Sequence, residues 1–184
     1  MKKIILVFVL AIFPALAFSQ SIFDKYEDME HVGSITVNKG LIRLAGNLAA
    51  LDKEDEDAQN FSEIAQGLTG IRVFVTEDKE VSADMGITVK KYLKSTSLEE
   101  LMRVKDGDTS IKFYIRNGKD EDHVAELLMF VSGIENDDFG INGRKFESVL
   151  VSLTGDIDLN KISSLTKQMD LPKELNQAGK KSGR

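Results

Sequence analysis

The chain has 184 residues and a formal net charge of −6. That length suits one domain with a real hydrophobic core. Its Lys and Arg cluster only in the tail at Lys180, Lys181 and Arg184, which argues against the counterion-release binding that nucleic acid requires. The lack of any cysteine excludes disulfides and thiolate metal sites.

Met1 to Gln20 carries two lysines, an apolar run from Ile4 to Phe18, and then Ala17-Phe18-Ser19 with small residues at its first and third positions. This is the pattern of an export signal, with cleavage expected after Ser19. The apolar run is broken by Pro14 and is shorter than the roughly 20 residues that cross a bilayer. No permanent membrane span is therefore expected after cleavage. A lipoprotein would need a cysteine at the cleavage site to carry its acyl chains, so the expected product is soluble, periplasmic or secreted, and not lipid-anchored. The expected organisation is a signal over 1–19, a single domain over 20–170 and a polar tail over 171–184.

Two early segments share one helical signature at i, i+3, i+4, i+7: Leu41, Leu44, Ala45, Leu48, and then Phe61, Ile64, Ala65, Leu68. Both are read as amphipathic helices. Asn60 with Glu63 resembles a capping box for the second, and Gly70 fits its stop. The run Leu51 to Asp57 between them is an exposed acidic loop.

Ile71 to Thr76 is rich in β-branched and aromatic residues, with Ile71, Val73 and Val75 on one face of a strand. Val81, Met85, Thr88, Val89 and Tyr92 then recur at helical spacing, which predicts a third helix over 80–94 across the Ile71/Val73/Val75 side. Gly86 weakens that helix by about 1 kcal/mol relative to Ala.

Ile111, Phe113 and Ile115 alternate with Lys112, Tyr114 and Arg116, the period of a half-buried strand. Asp106-Gly107 is a hairpin signal that makes Leu101 to Val104 its partner strand, although Ser97-Leu98-Glu99-Glu100 also fits a helix cap. Residues 124–131 are apolar on both parities. They suit a strand by their length and bounding turns, and a helix by their spacing. Val149, Val151 and Leu153 form the next strand. Asp158 is read as the N-cap of a last helix bearing Ile162, Leu165, Thr166 and Met169.

No segment carries a recognisable catalytic motif. Asp52 to Asp57 could gather a hard cation, yet it lacks the glycine and distal glutamate of a calcium loop. Asp156, Asp158 and Asn160 begin like such a loop, but Lys161 and Lys167 stand at its sixth and twelfth positions. His31 and His123 have no partner at zinc spacing, and no Gly-x-Ser-x-Gly elbow is present. His123 among Asp120, Glu121 and Asp122 reads as a turn residue, and the scattered Gly133, Gly140, Gly143 and Gly155 read as turn formers. Neither a metal nor another cofactor is expected.

Five stretches, Phe23-Asp-Lys-Tyr26, Gly70-Ile-Arg-Val-Phe-Val75, Leu98-Glu-Glu-Leu-Met-Arg-Val104, Glu126-Leu-Leu-Met129 and Thr154-Gly-Asp-Ile-Asp158, occur in the order seen in a known family. Through them the chain, from about Phe23 to Met169, resembles a bacterial envelope family catalogued as domain of unknown function 4252 and found mostly in Bacteroidetes. The resemblance implies a small exported protein and no established activity.

The fold expected is α+β, a mostly antiparallel sheet with helices packed mainly on one face. If the Ile71, Ile111 and Val149 parity faces those helices, then Phe74, Tyr114 and Leu150 point the other way, joined by one parity of 124–131, for which Met129 is a candidate. Such an apolar face would bind an envelope protein or a second copy of the chain, unless Phe23 and Tyr26 fold over it. A non-enzymatic interaction module is the expected function. The alternatives are an envelope hydrolase without a motif and a purely structural protein.

Overall fold

A computed structural model of the protein describes residues 21–134 and 145–159. The signal segment, the segment carrying the last predicted helix from Asn160 onward, the polar tail, and Gly140 and Gly143 lie outside these residues.

The described chain opens with a 3₁₀ turn at Ser21–Tyr26, followed by β1 (Val32–Asn38), whose Ile35-Thr36-Val37 supplies β-branched side chains. The sequence reading did not anticipate this strand. Asn38 ends β1 and opens α1 (Lys39–Ala49), its side chain accepting from the Leu41 amide. Asp55 does the same for α2 (Glu56–Gly67), accepting from the amides of Asp57 and Ala58. The expected capping box at Asn60 is thus one turn inside the helix. Gly70, expected to stop that helix, belongs to β2 (Leu68–Thr76). Asp78 caps α3 (Lys79–Ser95) through the amides of Glu80 and Val81.

The second half is a meander of β3 (Glu99–Asp106), β4 (Thr109–Asn117), β5 (His123–Ser132) and β6 (Ser148–Asp158). Both ambiguous segments are therefore strands, 124–131 throughout and 98–104 from Glu99 onward. Gly107 turns the β3–β4 hairpin at φ 54°, a conformation open to glycine without strain. The six strands form one sheet in the order β1-β2-β6-β5-β4-β3, antiparallel at every step. The fold class is α+β, as the elements imply. Asp156 and Asp158 lie within β6, where Asp158 pairs with His123 at the end of the strand, and the helix that Asp158 was expected to cap lies outside the described residues.

The helices divide between the two faces of the sheet, α1 and α2 on one and α3 on the other. On one face Val73, Phe113, Met129 and Val151 pack with Ile42 of α1 and Ile64 and Ala65 of α2. On the other, Phe74, Tyr114, Leu128, Phe130 and Leu150 pack with Phe23 and Tyr26 of the 3₁₀ turn and Met85, Val89 and Tyr92 of α3. The spacing of α3 was read correctly, but the helix lies across the Phe74 side of β2 and not the Val73 side. The physical reason is that β2, β5 and β6 are apolar on both parities, so each face needs a cover.

Two glycines permit close approaches. A Cβ on Gly46 would stand 2.6 Å from the Ala65 Cβ, so α1 and α2 meet at the missing side chain. Gly155 has φ 141°, and a Cβ there would stand 2.3 Å from the Gly67 carbonyl oxygen where β6 meets the start of β2.

Candidate functional site

The residues singled out as an open binding face are closed in by the chain itself. Phe74 and Leu150 are 0 % exposed, and Tyr114 is buried beside them. Phe23 stacks edge-on against Tyr92 with centroids 4.9 Å apart, and Tyr26 lies 5.8 Å from the Phe74 ring. The Tyr26 hydroxyl lies within hydrogen-bonding distance of Asp84 Oδ2 (2.7 Å) and Thr88 Oγ1 (2.9 Å) on α3, fastening the 3₁₀ turn over the sheet. Met129 shares no surface with the other three. Its pairing with Phe113 and Val151 puts it in the core beneath α1 and α2. The expected exposed patch is therefore an aromatic core layer, because the sheet needed cover on this face too.

One polar row crosses that layer. Register aligns Gly70, Thr154, Glu126 and Arg116 on neighbouring strands. Glu126 is 2 % exposed, accepts the Tyr92 hydroxyl at 2.7 Å, and lies 3.2 Å from Arg116 Nη2. Burial pushes its carboxyl above the ordinary value, outweighing the Tyr92 hydrogen bond and the Arg116 charge. Arg116 Nε is buried with no hydrogen-bond partner among the described residues. A cleft of about 300 Å³ shares Gly70 and Thr154 with this row and is lined also by Phe23, Thr36, Arg72, Tyr92 and Ser152. Arg72 is neutralised by Asp24 at 2.6 Å and Glu27 at 3.9 Å. The cleft offers hydroxyls around a paired guanidinium, without a histidine or a carboxylate base in its lining.

The other sequence candidates are engaged in local structure. Asp52 accepts from the amides of Glu54 and Asp55, and Asp55 caps α2. Asp156 Oδ2 accepts from Lys119 Nζ at 2.7 Å, and Asn160 lies outside the described residues. His31 precedes β1, whereas His123 starts β5 at the other end of the sheet, its Nδ1 2.6 Å from Asp120 Oδ1. Among the described residues no three His, Asp or Glu side chains converge as a metal site would require.

The surface that sequence reasoning missed is α1. Its apolar pattern was legible, but Leu41, Leu44, Leu48 and the following Leu51 are 54, 56, 60 and 76 % exposed, while Ile42 and Gly46 face inward. The apolar spacing that marked the helix is a leucine stripe on its surface. The signal that could have found it is Gly46: a helix whose contact face is made of Gly46 and Ile42 must leave its leucines elsewhere.

The family profile described as "Domain of unknown function (DUF4252)" matches residues 26–165. The chain belongs to that family. No curated protein and no solved structure matches it. Four of the five stretches that carried the resemblance, Gly70 to Val75, Leu98 to Val104 (from Glu99 onward), Glu126 to Met129 and Thr154 to Asp158, fall on β2, β3, β5 and β6, so they mark the sheet of this DUF4252 domain. The leucine stripe also falls within the matched range. No helix among the described residues is long and apolar enough to cross a membrane.

Proposed function

We propose that the mature chain is an exported, soluble, non-enzymatic interaction module of the bacterial envelope, and that it binds a polypeptide through the leucine face of α1. The observation that carries this reading is the row of four leucines standing in solvent on one side of a short helix. Soluble proteins seldom expose contiguous apolar rows without a partner for them. The signal-like residues 1–19 support export. The cleft beside Tyr92, whose lining holds hydroxyls but neither a histidine nor a carboxylate, supports binding over catalysis at that place.

Lys39 and Lys53 flank the stripe and are the handles for a test. Amine-reactive crosslinking of envelope preparations, read by mass spectrometry, should join Lys39 or Lys53 to another polypeptide, and intact mass should show a chain beginning at Gln20. Crosslinks confined to lysines away from α1, such as Lys90, Lys94 and Lys112, would overturn the reading.

A further inference from the structure

We infer that α1 pairs with α1 of a second copy, antiparallel about a two-fold axis. The inference rests on the reading of α1 as the interaction face and names what occupies it. Leu41, Leu44, Leu48 and Leu51 are spaced 3-4-3, the narrow seam of a two-helix coiled coil and not the wide stripe of a core-facing helix. Hydrogen bonds from the Ala50 amide to the Gly46 carbonyl and from Leu51 to Leu48 carry the helical path as far as Leu51. Ala45 and Asn47 flank the middle of the seam and are small enough for two helices to approach closely.

A 3-4-3 spacing reads the same in both directions. A two-fold axis between Leu44 and Leu48 therefore sets Leu44 against Leu48 of the second copy and Leu41 against Leu51. Each surface is then its own complement, as an isologous dimer requires.

Charge selects the antiparallel arrangement. Lys39 and Arg43 lie on the first half of α1, while Asp52, Glu54 and Asp55 crowd the turn after it and Glu56 and Asp57 open α2, with Lys53 the one cation among them. Antiparallel pairing sets Lys39 opposite Lys53 of the second copy, where Asp52 and Glu54 flank that lysine and outnumber it, and the helix dipoles oppose favourably. Parallel pairing would stack the two acidic turns on one another. The same acidic turn repels anionic lipid headgroups, which disfavours a membrane surface as the occupant. The carboxy-terminal segment leaves the described structure at Leu159, whose amide bonds to Asp122 O by the β4–β5 turn, whereas α1 follows edge strand β1.

The test combines sedimentation with single cysteines, which report cleanly because the chain has none of its own. The full mature chain should sediment as a concentration-dependent dimer. A Leu44→Asp, Leu48→Asp double variant should raise the dimer dissociation constant by at least about 100-fold with its circular dichroism unchanged. Mixed and oxidised, Leu44→Cys and Leu48→Cys chains should form the hetero-disulfide. Leu41→Cys alone should not couple, since the two copies of residue 41 would lie about 15 Å apart along the axis.

A Leu41→Cys homodisulfide, or a dimer that survives the double variant, would overturn the antiparallel α1 pair. So would a monomer at all concentrations, whether its α1 cysteines couple to residues 160–184 of the same chain or it floats with phosphatidylglycerol vesicles. A monomer that still crosslinks through Lys39 or Lys53 to a different polypeptide would overturn the pair while leaving the interaction reading in place. A monomer without such crosslinks would remove both.

Discussion

Tyr92 donates a hydrogen bond to Glu126 Oε1 at 2.7 Å, tying α3 to β5 through a carboxyl that is 2 % exposed. Because burial raises the Glu126 pKa, folding favours its protonated form. Its contribution to stability is complete below the ordinary carboxylate range and is lost as pH rises through the raised folded value. Glu126→Gln keeps an acceptor for Tyr92 and removes the titration. The melting temperature of the wild type, followed upward from the ordinary carboxylate range, should fall relative to that of the variant. Tyr92→Phe should cost about 1–2 kcal/mol by leaving that acceptor without its donor.

Asp84 behaves in the opposite sense. Hydrogen bonds from Lys25 and Tyr26 hold its carboxyl below the ordinary value, so the stability it contributes is present above that value and is lost on acidification. Asp84→Asn should expose the 3₁₀ turn to limited proteolysis at neutral pH. In the wild type the same cleavage should appear only as the pH falls through the lowered value.

Gly46 and Gly86 are both glycines inside helices, and substitution by alanine should have opposite signs at the two. At Gly86 a Cβ meets the Phe130 ring at 3.8 Å, an ordinary contact, so Gly86→Ala should stabilise by up to about 1 kcal/mol. At Gly46 the 2.6 Å approach to the Ala65 Cβ forces α1 and α2 apart, and Gly46→Ala should cost about 1–3 kcal/mol in chemical denaturation.

Phe74 and Leu44 give the matching contrast in burial. Phe74→Ala empties a site in the aromatic layer and should cost about 3–5 kcal/mol, while Leu44→Ala at dilute protein should change stability by under about 0.5 kcal/mol. Equal effects would mean that the two apolar sets had been assigned to the wrong sides.

The contrast also marks how far the sequence could be read. Periodicity identified the three α-helices among the described residues and the alternation of β4, because a helix or a half-buried strand imprints its own period locally. It could not say which neighbour an apolar stripe meets. Leu41, Leu44 and Leu48 carry the same spacing as Ile64 and Ala65, and only the close contact of Gly46 with Ala65 turns the leucines outward. Phe74, Tyr114 and Leu150 were placed correctly on one face, yet whether that face is open depends on Phe23 and Tyr26, many residues away in the chain. Met129 went to the wrong face because a run apolar on both parities contains nothing that fixes register. β1 was missed since most of it is exposed and its one polar-apolar alternation is short.

The most direct test of the leucine face is site-specific photocrosslinking in intact cells, with a photoreactive residue replacing Leu48 on α1 or Leu101 on edge strand β3, both exposed leucines. The account predicts a discrete adduct at twice the mature mass from position 48 and none from position 101. Adducts from 101 alone, or the same adducts from both positions, would contradict it.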